Sequence, residues 1–226
     1  MSETGADAGV VQSRRQLERL VADDELAGRT IQGFAAPGLL MRAVDLDSVV
    51  LERVDLQDAD GEDARLEHAD LRQCDLRRSR WCGGLWNRVK AVDSDLTQID
   101  LSRAQVLRCN LGPVRLGKAG FSGARLQGTT FLASELYGAD FRRAVLTKVV
   151  FDGYESSTVS LSRADFTGAA LFEVDFRRAN LYGASLREAL LFRCDLRGVN
   201  LSSADLRGAR MVGCLTHGVD LDDAQI

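Results

Sequence analysis

The sequence predicts a repeat architecture in which the chain turns a corner every five residues and puts one large and one small side chain inside at each turn. Three observations predict it. Large apolar residues recur at a spacing of five without a change of frame from Leu46 to Ile226, passing through Leu51, Leu66, Leu71, Leu96, Phe121, Phe141, Leu171, Leu191 and Leu206. Two residues before most of these centres stands a small side chain, as at Ala64, Ala69, Cys74, Ala104, Ala124, Ala144, Ala164, Ala189 and Cys214. The other three positions are mostly polar. A period of five fits neither the 3.6 of an amphipathic helix nor the alternation of a long strand, so both ordinary readings fail.

Motifs such as Ala69-Asp70-Leu71-Arg72-Gln73, Ala139-Asp140-Phe141-Arg142-Arg143, Ala179-Asn180-Leu181-Tyr182-Gly183 and Ala204-Asp205-Leu206-Arg207-Gly208 resemble the A(D/N)LXX repeat of the pentapeptide-repeat family, over roughly residues 41 to 226. The resemblance implies an all-β fold, a right-handed quadrilateral parallel β-helix with four pentapeptides per coil. About nine coils, at about 4.8 Å between stacked strands, would make a rod on the order of 45 Å long.

In chain order, residues 1–30 form an N-terminal segment and 31–226 the β-helix. Within the segment, Val10, Val11, Leu17, Leu20 and Val21 share one face of a short helix over 10–22 with Ser13 as N-cap, placed to cover the first coil. With twenty residues per coil, Gly61 lies beneath Trp81 and Ala91 follows Trp86 at the next core position, a volume exchange that a close-packed interior requires. Both tryptophans therefore read as core. Two segments rich in turn-forming residues, 60–63 and 154–158, are alternative sites for loops that keep the frame of five but shift the faces. At the far end Ile226 is itself a central position, so the last coil is expected to dock on another copy or under a partner.

Composition narrows the function. Apolar residues at 45%, charged residues at 27% and only two prolines in 226 exclude a disordered or collagen-like chain. The net charge of -4 is well mixed, so no global field argues for nucleic acid or an anionic membrane. The first residues lack the pattern of a signal peptide, and a cytoplasmic protein is expected. Cys74, Cys109, Cys194 and Cys214 fall at the small inward position as reduced thiols, with Cys194 and Cys214 stacked on neighbouring coils, while Cys82 points outward without a zinc-binding companion. His68 and His217 are about seven coils apart and cannot share a site. With no phosphate loop, GxSxG or HExxH motif, the expectation is a non-enzyme without metal or cofactor.

Function then rests on surfaces. Under the unbroken frame, Leu132, Val150, Phe172, Leu190, Phe192 and Val212 share one face as an apolar stripe, which predicts a rigid scaffold docking another protein or a second copy, a homodimer through the stripe or the C-terminal coil. The alternative comes from the resemblance: gyrase-protecting bacterial members mimic DNA with an acidic surface, and here a row of Asp55, Asp75, Asp95, Glu135, Glu155, Asp175 and Asp195 would supply it, interrupted by Arg115 and nearly cancelled by neighbouring arginines. A third role, beside a bacterial secretion or antibiotic-production system, follows from the resemblance alone.

Overall fold

Each pentapeptide is a short straight piece followed by a corner. The central residue and the small residue two before it point inward, and the residue two after the centre turns the chain with a left-handed backbone, as in Arg53 (φ 53°), Asp58 (φ 56°) and Asp63 (φ 58°). Left-handed backbone is costly for most L-residues, and here each corner is fixed by two hydrogen bonds. In one coil Leu56 O accepts from Ala59 N at 3.1 Å, and Asp58 N donates to Arg77 O of the next coil at 3.0 Å. Glycine removes the conformational cost at other corners, among them Gly28, Gly33 and Gly38.

A computed structural model describes residues 9–153 and 158–226. Four corners close a coil, and about ten coils stack as a parallel β-solenoid. Up to Asp152 the register step is twenty: Leu51 pairs with Leu71, Trp86 with Val106, and Phe131 with Phe151. Face 1 carries the centres Ile31, Leu51, Leu71, Leu111, Phe131 and Phe151; face 2 carries Leu56, Leu76, Leu96 and Leu136; face 3 carries Met41, Gly61, Trp81, Phe121 and Phe141; face 4 carries Leu46, Leu66, Trp86, Leu126 and Leu146. Faces 1 and 4 are eight-stranded parallel ladders. Faces 2 and 3 are held largely by single bridges such as Asp55 to Asp75 and Asp60 to Arg80.

The solenoid begins earlier than the repeat is legible. Strand β1 (Val10–Val11) pairs in parallel with β2 (Thr30–Gln32), and Leu26, Ile31, Ala36 and Met41 are all buried, which accounts for a coil beyond the nine expected. Helix α1 (Arg14–Ala22) starts at Ser13, whose side chain accepts from Gln16 N. It buries Leu17 and Leu20 in the core, and Arg14 donates to Pro37 O at 3.1 Å, so the helix covers the first coil.

The segment 60–63 stays inside its coil: Gly61 N donates to Arg80 O at 2.7 Å. The other segment, 154–158, lies outside the described residues except for Thr158, and the register changes across it. Glu135 pairs with Ser160, Asp140 with Asp165, Val145 with Ala170 and Val150 with Asp175, a step of twenty-five on all four faces, after which the step returns to twenty. One pentapeptide's length is inserted between Asp152 and Val159, so the frame of five survives and every later residue moves by one face. Beyond the insertion face 1 continues as Phe176 and Leu196, face 2 as Leu161 and Leu181, face 3 as Phe166 and Leu186, and face 4 as Leu171, Leu191 and Met211.

The core is one continuous column. Trp81 and Trp86 meet edge to face at 5.8 Å, and the Trp81 indole N–H donates to Ser79 Oγ at 2.8 Å. Above them Phe121, Phe141 and Phe166 stack at 4.8 Å spacing on face 3, while Phe131, Phe151 and Phe176 stack at 5.1 and 5.2 Å on face 1. Exposure of the central positions returns at the last coil, where Met211, Leu221 and Ile226 are 38%, 44% and 87% exposed.

Candidate docking face

Most of the surface neutralises itself. Where a central residue lies between aspartate and arginine, as in Asp75-Leu76-Arg77, the aspartate Oδ1 accepts from the backbone N–H two residues on, at 3.1 Å here, and the arginine folds back onto the same carboxylate at 2.6 Å. The same clamp recurs at Asp140–Arg142, Asp175–Arg177, Asp195–Arg197 and Asp205–Arg207. The Arg197 hydrogen bond holds the Asp195 carboxyl below its usual range, as Arg207 does for Asp205. Such exposed pairs contribute only about 0–1 kcal/mol each. Their larger consequence is electrostatic, since each acid is cancelled at its own corner.

The acidic row does not survive the register break. Asp55, Asp75, Asp95, Arg115 and Glu135 lie in one column of face 2, which continues through Ser160, Asn180 and Asn200. Asp175 and Asp195 belong to face 1, in the column of Val150, and Glu155 lies outside the described residues. Within the column Arg115 binds Asp95 at 2.9 Å and Arg77 binds Asp75.

The apolar stripe is also divided. Leu132 and Val150 lie on face 1, whereas Phe172, Leu190, Phe192 and Val212 lie together on face 4. The break brings Val145 to them, while Ala170 stays with them: one column of face 4 reads Arg125, Val145, Ala170, Leu190, Arg210 and the other Gln127, Thr147, Phe172, Phe192, Val212. The Phe172 and Phe192 rings stand 6.4 Å apart and tilted, and Val145 and Val212 are exposed. At its upper end the band reaches the open last coil, a hollow of about 370 Å³ lined by Leu196, Leu206, Met211, Leu221 and Ile226.

The face also holds a residue class that the frame of five had scattered. Arg103 and Arg143 flank face 4 on one side and Arg108 and Arg193 on the other, all exposed. The unbroken frame sends Arg193 to a different face from Arg108, so a basic border was invisible. The signal that could have found it is local: the positions that hold clamping aspartates elsewhere are Val145, Ala170 and Leu190 here.

Chemical groups are sparse. Among the described residues no cluster of three or more histidines, cysteines, aspartates or glutamates is placed to hold a metal ion. His68 sits between Asp47 and Arg88, 3.2 Å from each, on the surface. Cys82 does not point outward as expected; it is buried outside the core, with Arg80 4.0 Å from its sulfur. Cys194 and Cys214 occupy the same position on successive coils as free thiols. Burial pushes the Cys109 thiol up to about 12 and Cys194 up to about 11, and raises Cys74 as well. Only Cys214 is part-exposed. A thiol-specific disulfide reagent at pH 8 is therefore expected to titrate one fast thiol in the native chain and the other four only after denaturation. Two or more fast thiols would contradict the burial described.

No curated protein matches the chain. Among solved structures, HetL, a pentapeptide repeat protein involved in heterocyst differentiation regulation from the cyanobacterium Nostoc sp. strain PCC 7120, is 22% identical over 93% of this chain and 95% of its own, with a TM-score of 0.44. QnrB1, a plasmid-mediated fluoroquinolone resistance protein, is 16% identical over 85% and 89%, with a TM-score of 0.41. Rfr23 from the cyanobacterium Cyanothece 51142 is 16% identical over 91% and 97%, with a TM-score of 0.31. The sequence pattern described as Pentapeptide repeats matches in 8 copies, over residues 41–78, 115–153 and 160–198, just over half of the chain. With the five-residue frame, the left-handed corners and the four-faced solenoid, that match makes the chain a member of the pentapeptide-repeat family.

Proposed function

We propose that the chain is a non-catalytic binding rod that docks another protein or a second copy through face 4 and the adjoining last coil. One observation carries this reading. Phe172, Leu190, Phe192 and Val212 form a contiguous apolar band on a surface that elsewhere presents clamped ion pairs, and such patches mark interaction sites. Stacked coils hold the band rigidly, so little ordering entropy opposes docking. A cytoplasmic setting suits the cysteines, all free thiols, four of which stand at the small inward positions of the repeat. No helix is long and apolar enough to cross a membrane among the described residues. The duplex-mimic alternative is left without a continuous acidic column.

The test is Phe172→Asp with Phe192→Asp, compared with the unaltered chain by light scattering over a concentration series and by retention of co-purifying protein. Each ring, if central to the interface, is worth at least about 2 kcal/mol, so association should weaken by about a hundredfold or more. The β-rich circular dichroism should not change. Association that survives the double substitution, or an unaltered chain that neither self-associates nor retains a partner, would overturn the proposal.

A further inference from the structure

We infer that face 4, taken as the docking surface proposed above, is shaped for an acidic amphipathic segment of a partner protein: an apolar stripe with carboxylates on both flanks. The ion-pair pattern carries this. On the other faces most arginines pair with an acid, in six cases the aspartate two residues before them, whereas Arg103, Arg108, Arg125, Arg143, Arg193 and Arg210 are exposed and form no ion pair among the described residues.

Their placement follows the apolar band. Arg125 and Arg210 stand below and above Val145, Ala170 and Leu190 in one column, and the other four occupy the corner rows on either side. In those rows the next coil offers glycine. A Cβ placed on Gly123, Gly128, Gly168 or Gly213 would lie 3.6 to 3.8 Å from the Cγ of Arg103, Arg108, Arg143 or Arg193, so each arginine stem runs over a glycine. The acids nearby are Glu173, which Lys148 approaches at 3.8 Å, and Glu188. Beside the band itself these rows hold Arg143 and Glu188 on one side and Lys148, Glu173 and Arg193 on the other, with Arg125 and Arg210 at the two ends and Arg103 and Arg108 flanking the coil two below Val145, so the apolar centre has a border of net positive charge.

Charge complementarity selects the occupant. Guanidinium groups are weakly hydrated and pair with carboxylates in two-pronged fashion, and an interface core of aromatic and aliphatic side chains needs apolar partners. The band spans four coils, about 15 Å, a length that about three turns of helix would cover. Phe172, Leu190 and Phe192 are half-buried, and the Arg193 guanidinium lies 5.1 Å over the Phe192 ring. The apolar groups therefore sit among the arginines rather than projecting beyond them, which suits a seated polypeptide better than insertion into a lipid surface.

The probe is a fluorescein-labelled helical peptide of about five turns, with leucines at helical spacing and glutamates on both flanks, titrated with the full chain by fluorescence anisotropy. Saturable binding is expected, weakening with added salt. It should fall at least about tenfold in Arg108→Glu with Arg143→Glu and Arg193→Glu, and likewise in Phe172→Asp with Phe192→Asp, while circular dichroism and melting stay unchanged. Equal binding of a peptide with lysines in place of the glutamates, undiminished binding by the charge variant, or binding of phosphatidylserine vesicles without binding of the peptide would overturn the inference. If the charge variant keeps a self-association that the phenylalanine variant loses, face 4 stands as a docking surface and its acidic occupant is rejected.

Discussion

Replacing Phe141 with alanine is expected to lower the stability of the chain by about 3–5 kcal/mol. Its ring is fully buried, stacks on Phe121 and Phe166 at 4.8 Å, and meets Phe151 and Phe131 edge-on at 6.3 and 6.5 Å. The loss combines the transfer free energy of the ring, a cavity that stiff coils cannot collapse, and aromatic contacts of about 0.5–1.5 kcal/mol each. Stacked repeats couple mainly to their neighbours, so the defect falls in the middle of the rod and should lower the unfolding midpoint for both halves. Phe141→Leu, which keeps most of the volume in the residue type common at this position, should cost much less. Urea unfolding followed by circular dichroism checks both, and a loss below about 1 kcal/mol for Phe141→Ala would contradict the packing described.

The second large effect is expected at Gly61. A Cβ there would stand 2.5 Å from Trp81 Cε3, in a ring that is itself fully buried. Gly61→Ala should therefore destabilise by about 1–3 kcal/mol through overpacking. Its backbone is not left-handed, so the cost is one of volume alone. Trp81→Phe makes room on the next coil, and the pair should couple: the double variant should be more stable than the sum of the single effects predicts by at least about 0.5 kcal/mol. Additive effects would mean that residues twenty apart do not touch here.

The reading of Gly61 against Trp81 came from the sequence because the frame of five and the size exchange point to the same register. The core was legible for the same reason, since each inward position is marked twice, by a large and by a small residue. The N-terminal coils were less so: Leu26, Ile31, Ala36 and Met41 keep the frame, but Ala36 is small and Gly33 and Gly38 interrupt the polar pattern. The surface was legible only up to the insertion. Because one pentapeptide's length is added after Asp152, every centre from Leu161 onward remains in frame while its face changes. A count by fives cannot detect that, and it moved Phe172 and Phe192 away from Val145 and joined Asp175 to Asp95. The clamps are local and could be read as Asp-x-Arg. The bare arginines of face 4 required the true register.

Hydroxyl-radical footprinting tests the central claim most directly, that one face of an otherwise self-neutralised rod does the docking. The chain would be compared alone and with its occupant, either its own copies at high concentration or the acidic peptide. Protection is expected at Phe172, Leu190, Phe192 and Val212, which come from three successive coils and are adjacent on face 4. Tyr137 and Tyr182, 44% and 45% exposed on face 2, should keep their full reactivity. Protection of the tyrosines with the phenylalanines unprotected would contradict the account.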